Sequence, residues 1–135
     1  MIFTGKRLSK NLSDMKSTDI GKLGEDAAVR YLCRHGYKIK ERNYRTKFGE
    51  IDIIAQDGEY TCFVEVRLRK KCGYALPAET IDKRKQEKLI KCAQHYIVKH
   101  NLSDSALRFD AVLIEGDAAG KEKLCIEVIK DAFRN

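Results

Sequence analysis

The chain has 135 residues, 43% of them hydrophobic and 35% charged, with 27 Lys and Arg against 20 Asp and Glu for a formal charge of +7. That length suits one domain whose core needs no disulfide or metal staple, and the composition excludes wholesale disorder. The longest aliphatic run, Ala111-Val112-Leu113-Ile114, is far too short to cross a membrane, and the N-terminus lacks the apolar stretch of a secretory signal, so no membrane partner is expected. The positive surplus points instead to a polyanion, most simply nucleic acid.

Residues 1–16 are poor in apolar side chains and carry Lys6, Arg7, Lys10 and Lys16, which predicts a flexible basic arm ahead of a single domain over 17–135. Ser17 or Thr18 can cap a first helix, along which Ile20, Leu23, Ala27, Ala28, Tyr31 and Leu32 recur at helical spacing until Gly36 ends it. Lys38–Arg45 reads as a strand, and Glu50–Ala55 and Thr61–Arg69 read as two more, joined by a hairpin turn at Asp57-Gly58. A basic loop with Gly and Pro runs from Arg69 to Ala78. A second helix over about Glu79–Lys99 follows, with Ile81, Leu89, Ala93 and Ile97 as its apolar stripe. Leu107–Ile114 and Leu124–Ile129 complete the order α-β-β-β-α-β-β, which predicts an α/β domain with one central mixed five-stranded sheet flanked by helices.

The five cysteines form no CxxC pair, and Cys33, Cys62, Cys92 and Cys125 lie in apolar surroundings where a free thiol serves as a small hydrophobe. That usage predicts a reducing cytoplasm and no zinc site. His35, His95 and His100 show no ligand spacing either.

The chemistry concentrates in Gly49-Glu50-Ile51-Asp52-Ile53-Ile54 and Phe63-Val64-Glu65-Val66-Arg67. Alternate strand residues share a face, so Ile51, Ile53 and Ala55 oppose Glu50, Asp52 and Ile54 on the first strand. On the second, Val64, Val66 and Leu68 oppose Phe63, Glu65, Arg67 and Arg69. With Asp57-Gly58 as a two-residue turn, Gln56 faces Glu59, Asp52 faces Phe63 and Glu50 faces Glu65. Asp52 and Glu65 are then diagonal neighbours on one face, placed to share a hard cation. A hairpin with a merely solvated charged face has the same pattern, and spacing alone leaves both readings open. From Arg67 to Lys91 nine basic residues stand against three acidic ones, a net +6 next to the acidic pair. Arg69, Lys70, Lys71, Lys83, Lys85 and Lys88 are the candidate phosphate contacts, and Tyr74 in the loop is a candidate for base stacking.

The segments Gly24-Glu25-Asp26-Ala27-Ala28, Asn43-Tyr44-Arg45, Gly49-Glu50-Ile51-Asp52-Ile53-Ile54-Ala55, Phe63-Val64-Glu65-Val66-Arg67 and Arg108-Phe109-Asp110 together resemble the YraN family of small bacterial proteins. That family is in turn similar to restriction-endonuclease-like PD-(D/E)xK nucleases and Holliday junction resolvases. The resemblance spans residues 19–133 and implies a restriction-endonuclease-like fold, Mg²⁺ or Mn²⁺ as cofactor, and a homodimer. It implies a nuclease that hydrolyses phosphodiester bonds in structured or branched nucleic acid, DNA ahead of RNA. Asp52 would match the first metal-binding aspartate, Glu65 the acid of the ExK element, and Glu25 the helical glutamate of the resolvase-like branch. Arg67 stands where the family usually has Lys. A guanidinium can neutralise transition-state charge but cannot act as a base; Lys83, Lys85 and Arg69 are the candidates to reach the site instead. The departure keeps a second reading open: a non-catalytic or weakly active nucleic-acid-binding module on a nuclease fold.

Overall fold

Apolar periodicity places every element close to its expected position. The computed structural model describes residues 17–70, 81–116 and 125–134. Helix α1 (Ser17–Arg34) is followed by strands β1 (Lys38–Thr46), β2 (Gly49–Asp57) and β3 (Tyr60–Lys70). Helix α2 (Lys83–Lys99) and strands β4 (Ala106–Gly116) and β5 (Cys125–Phe133) complete the chain. The sheet order is β1-β2-β3-β4-β5, antiparallel except for the parallel β3–β4 pair that α2 connects. This is the mixed five-stranded α/β sheet expected from the sequence. The basic arm over 1–16 and the Arg69–Ala78 loop from residue 71 onward lie outside the described residues.

Two apolar clusters put one helix on each face. Ala27, Ala28 and Leu32 of α1 pack with Ile53, Ala55, Cys62, Val64, Val112 and Ile114. Leu89, Cys92, Ala93 and Tyr96 of α2 pack with Tyr44, Ile51, Ile54, Phe63 and Ala111. The central strands are therefore covered on both sides, where near-continuous apolar runs are the norm. The acids Glu65 and Asp110, 4% and 0% exposed, break those runs, and a buried carboxyl is tolerated only with partners.

Three expectations are corrected. Helix α2 begins at Lys83 rather than Glu79, because the Asp82 carboxylate accepts the Lys85 backbone N–H at 2.8 Å and caps the helix there. Strand β5 runs on to Phe133, whose ring stacks on Phe109 with centroids 4.6 Å apart. Cys62 and Cys92 are buried as small hydrophobes, whereas Cys33 and Cys125 are exposed; all four are free thiols.

Candidate functional site

The β2–β3 hairpin sets the site, and its register differs from the one expected. Asp57 pairs with Tyr60, and Ile53 with Val64, so the turn residues are Gly58 and Glu59. Gly58 has φ +60°, the left-handed conformation that a type II′ hairpin requires at its first central position. The pairing thus slides by two residues. Asp52 lies next along the ladder toward Glu65 rather than Phe63, and Glu50 no longer opposes Glu65.

Regular β2–β3 pairing ends at Ile53 and Val64. Beyond it the alternation of β2 breaks: Ile53 and Ala55 face α1, but Ile51 joins Ile54 on the α2 side, contrary to the face expected for it. At this break the Asp52 carboxylate accepts the Val66 backbone N–H at 2.9 Å. A side chain thus takes a ladder donor and is held beside Glu65.

Glu65 projects toward α2, its side chain only 5% exposed. Its Oε2 lies 3.7 Å from Arg67 Nη1 and 3.6 Å from Lys85 Nζ. Burial, followed by the charge of Asp52, pushes the Glu65 carboxyl up to about 8, and a hydrogen bond with Asp52 adds to the rise. Lys85 and Arg67 oppose it without cancelling it. The rise expresses the cost of placing two carboxylates side by side with one of them buried, a cost that a bound cation would also relieve.

Glu25 approaches from α1. The helix comes close to β3 because Gly24 has no side chain: a Cβ there would stand 2.8 Å from a methyl of Leu68. Burial and the charge of Asp52 raise the Glu25 carboxyl, while Arg42 of β1 lies 3.5 Å from it and 2.7 Å from Asp26. Glu25 thus borders the site from the opposite helix. Among the described residues no three His, Cys, Asp or Glu side chains are gathered to hold a metal ion. Asp52 and Glu65 come together, and Glu25 stands outside that pair.

Of the basic candidates, Lys85 meets Glu65 directly, while Lys83 and Lys88 are exposed on α2. Arg69 and Lys70 belong to the backbone of β3, but their side chains, with Lys71 and Tyr74, lie outside the described residues.

Sequence reasoning passed over a second polar centre. Asp110, fully buried on β4, accepts from Tyr37 Oη at 2.9 Å, Arg108 Nε at 2.8 Å and the Asp131 backbone N–H at 3.0 Å. Arg108 also donates to Asp57 at 2.6 Å and lies over the Tyr60 ring. Burial and Asp110 push the Tyr37 hydroxyl far up, and hydrogen bonding by Arg108 lowers Asp57. The signal was present as Arg108 and Asp110 two residues apart on one strand face, but their partners are remote in sequence.

Comparison with known proteins gives one family and no named activity. The model of "Uncharacterised protein family UPF0102" matches residues 24–114. A UPF0102 protein of Persephonella marina is 50% identical over 94 residues, covering 70% of this chain and 81% of its own. One from Acetivibrio thermocellus is 42% identical over 116 residues, 84% of this chain and 89% of its own. Another from Alkaliphilus metalliredigens is 43% identical over 117 residues, 87% and 99%. The matched span takes in Glu25, Asp52, Glu65, Arg67, Lys85 and Asp110.

Proposed function

For a chain that belongs to the YraN family, UPF0102, we propose a Mg²⁺-dependent nuclease that hydrolyses phosphodiester bonds in structured or branched nucleic acid, in a reducing cytoplasm. The observation that carries this reading is the Asp52–Glu65 pair, with the Glu65 side chain buried and Arg67 and Lys85 at 3.7 and 3.6 Å from it. The donors fit the metal: they are hard carboxylate oxygens, and Mg²⁺ commonly binds through one or two carboxylates, completing its shell with waters and substrate phosphate. Asp52 and Glu65 would hold it, and when bound it supplies a polarised water and neutralises phosphate charge.

The remaining work falls to the chain's own side chains. Arg67 from β3 and Lys85 from α2 both approach Oε2 of Glu65, placed to receive the charge that develops on the phosphate oxygens. Lys85 supplies from α2 the ammonium that Arg67 displaces from β3, and this favours catalysis over the binding-module reading. Glu25 is positioned by Arg42 at the border.

The first turn of α2 supports a phosphate partner. It carries Lys83, Arg84 and Lys85 and no acid, an arrangement that opposes the helix dipole at a cost of about 0.3–1 kcal/mol for each exposed charge. The Asp82 cap offsets part of that penalty, and a phosphate beside the three cations would offset the rest. Affinity for DNA should fall linearly with salt on logarithmic axes, and replacing Lys83, Lys85 and Lys88 by Glu should flatten the slope by about 0.9 for each phosphate no longer neutralised. An unchanged slope removes α2 from the binding face.

The reading is tested with purified protein on branched, single-stranded and duplex DNA and RNA, with Mg²⁺ or Mn²⁺. Branched DNA should be cleaved and EDTA should stop the reaction. Binding without cleavage of any substrate would overturn the nuclease and leave the binding module.

A further inference from the structure

The β1–β2 turn carries an aromatic ring that the fold does not use. Phe48 lies outside both apolar clusters and is 38% exposed. Its backbone N–H donates to Thr46 Oγ1 at 3.0 Å, and Thr46 pairs with Gly49, so the ring is presented by a fixed turn. Lys47 Nζ lies 5.2 Å and Lys91 Nζ 5.5 Å from the ring centroid. Phe48 and Lys91 line a shallow cavity of about 560 Å³ with Gln94, His95, Val98 and Lys99, and among the described residues no acid lines it. Val98 is 73% exposed on its rim.

A partly exposed aromatic with two ammonium groups over its ring has the chemistry that holds a single strand: an incoming base displaces an ammonium from the ring to stack, and the freed cation meets a flanking phosphate. Lys91 also belongs to the helix whose Lys85 touches Glu65. At a rise of about 1.5 Å per residue, the two lie about 9 Å apart along α2, or roughly three stacked nucleotide steps at about 3.4 Å each. We infer that Phe48 is a stacking platform for an unpaired base a few nucleotides from the phosphodiester held at Asp52 and Glu65. The inference rests on the nuclease reading and refines its substrate class to nucleic acid with a single-stranded segment beside the scissile bond. A base in continuous duplex keeps both faces stacked and cannot use the ring.

Binding of an unpaired oligodeoxynucleotide and of its blunt duplex, both in EDTA, tests this. Phe48→Ala should weaken single-strand binding roughly ten-fold, the loss typical of one stacked base, and leave duplex binding unchanged. Phe48→Trp should keep single-strand affinity. The chain has no other Trp, so its indole fluorescence should be quenched by the single strand and not by the duplex. Unaltered single-strand binding by Phe48→Ala, or equal losses on both substrates, overturns the platform. If the Lys83, Lys85 and Lys88 variant then still loses DNA binding, the nucleic-acid reading survives alone. A wild-type protein that binds neither substrate overturns both.

Discussion

Glu65→Gln should stabilise the metal-free protein at pH 8 and at the same time abolish its response to Mg²⁺. Burial and the neighbouring charge of Asp52 raise the Glu65 carboxyl to about 8, against an unfolded value of about 4.3. Between those values the folded state binds more protons than the unfolded one, so stability falls as pH rises through that window and levels off above it. Below the unfolded value the folded state bears no such loss. Gln holds the same shape without the charge, so the loss disappears. The gain at pH 8 is on the order of 2 kcal/mol, or about 5–10 °C in Tm, whereas a charge lost from a solvated hairpin face shifts stability by about 0.5 kcal/mol or less. Melting in EDTA from pH 5 to 9 measures it. A pH profile unchanged by Glu65→Gln would mean the carboxyl is ionised throughout.

Cation binding works against the same proton. The pair must be ionised to hold Mg²⁺, so Mg²⁺ should raise the wild-type Tm more at pH 8.5 than at pH 6. Neither Asp52→Asn nor Glu65→Gln should show the effect, and neither should cleave. Metal-free DNA binding should hold or improve, because neither change adds a negative charge and each removes one wherever the replaced carboxyl is ionised. If Mg²⁺ shifts neither the wild type nor the variants, with and without an oligonucleotide present, Asp52 and Glu65 are not a metal site.

The acid pair was legible in the sequence despite a wrong register. Placing the turn at Asp57-Gly58 instead of Gly58-Glu59 moves the pairing by two residues, and a shift of two preserves the face on which each side chain points. Asp52 and Glu65 were therefore expected on one face either way, although as diagonal neighbours rather than at the same rung. The break at Asp52 that sends Ile51 to the α2 side leaves no trace in the alternation of apolar letters. Lys85 could be named only as one of several basic residues, since its approach to Glu65 depends on where Asp82 starts α2 and how that helix docks. Phe48 was missed because an aromatic in a turn between two strands reads as part of the hairpin. Only its separation from both clusters shows that the core does not need it.

The largest loss of stability should come from Asp110→Ala, away from the acid pair. Asp110 gathers Tyr37 from just before β1, Arg108 from its own strand and the Asp131 N–H from β5. Through Arg108 it also reaches Asp57 at the end of β2. Its removal leaves the guanidinium, 12% exposed, with Asp57 as its remaining carboxylate partner, and strips the Tyr37 hydroxyl of its acceptor. Breaking a buried ion pair from one side costs about 3–5 kcal/mol, because the surviving charge stays buried. In a domain of this size that is about 10–15 °C in Tm. Asp110→Asn keeps one carbonyl acceptor and should fall between the wild type and Ala. The same network explains why the Arg108-Phe109-Asp110 segment accompanies the acidic strands without joining their chemistry. Asp110 pairs with Val64, one position from Glu65, but on the α1 face. Below its lowered melting point, Asp110→Asn should therefore keep the wild-type Mg²⁺ response and the wild-type cleavage rate. Thermal melts and cleavage measured on the same preparation separate the two roles: a folded Asp110→Asn protein that has lost the Mg²⁺ response would place Asp110 in the metal site rather than in the scaffold.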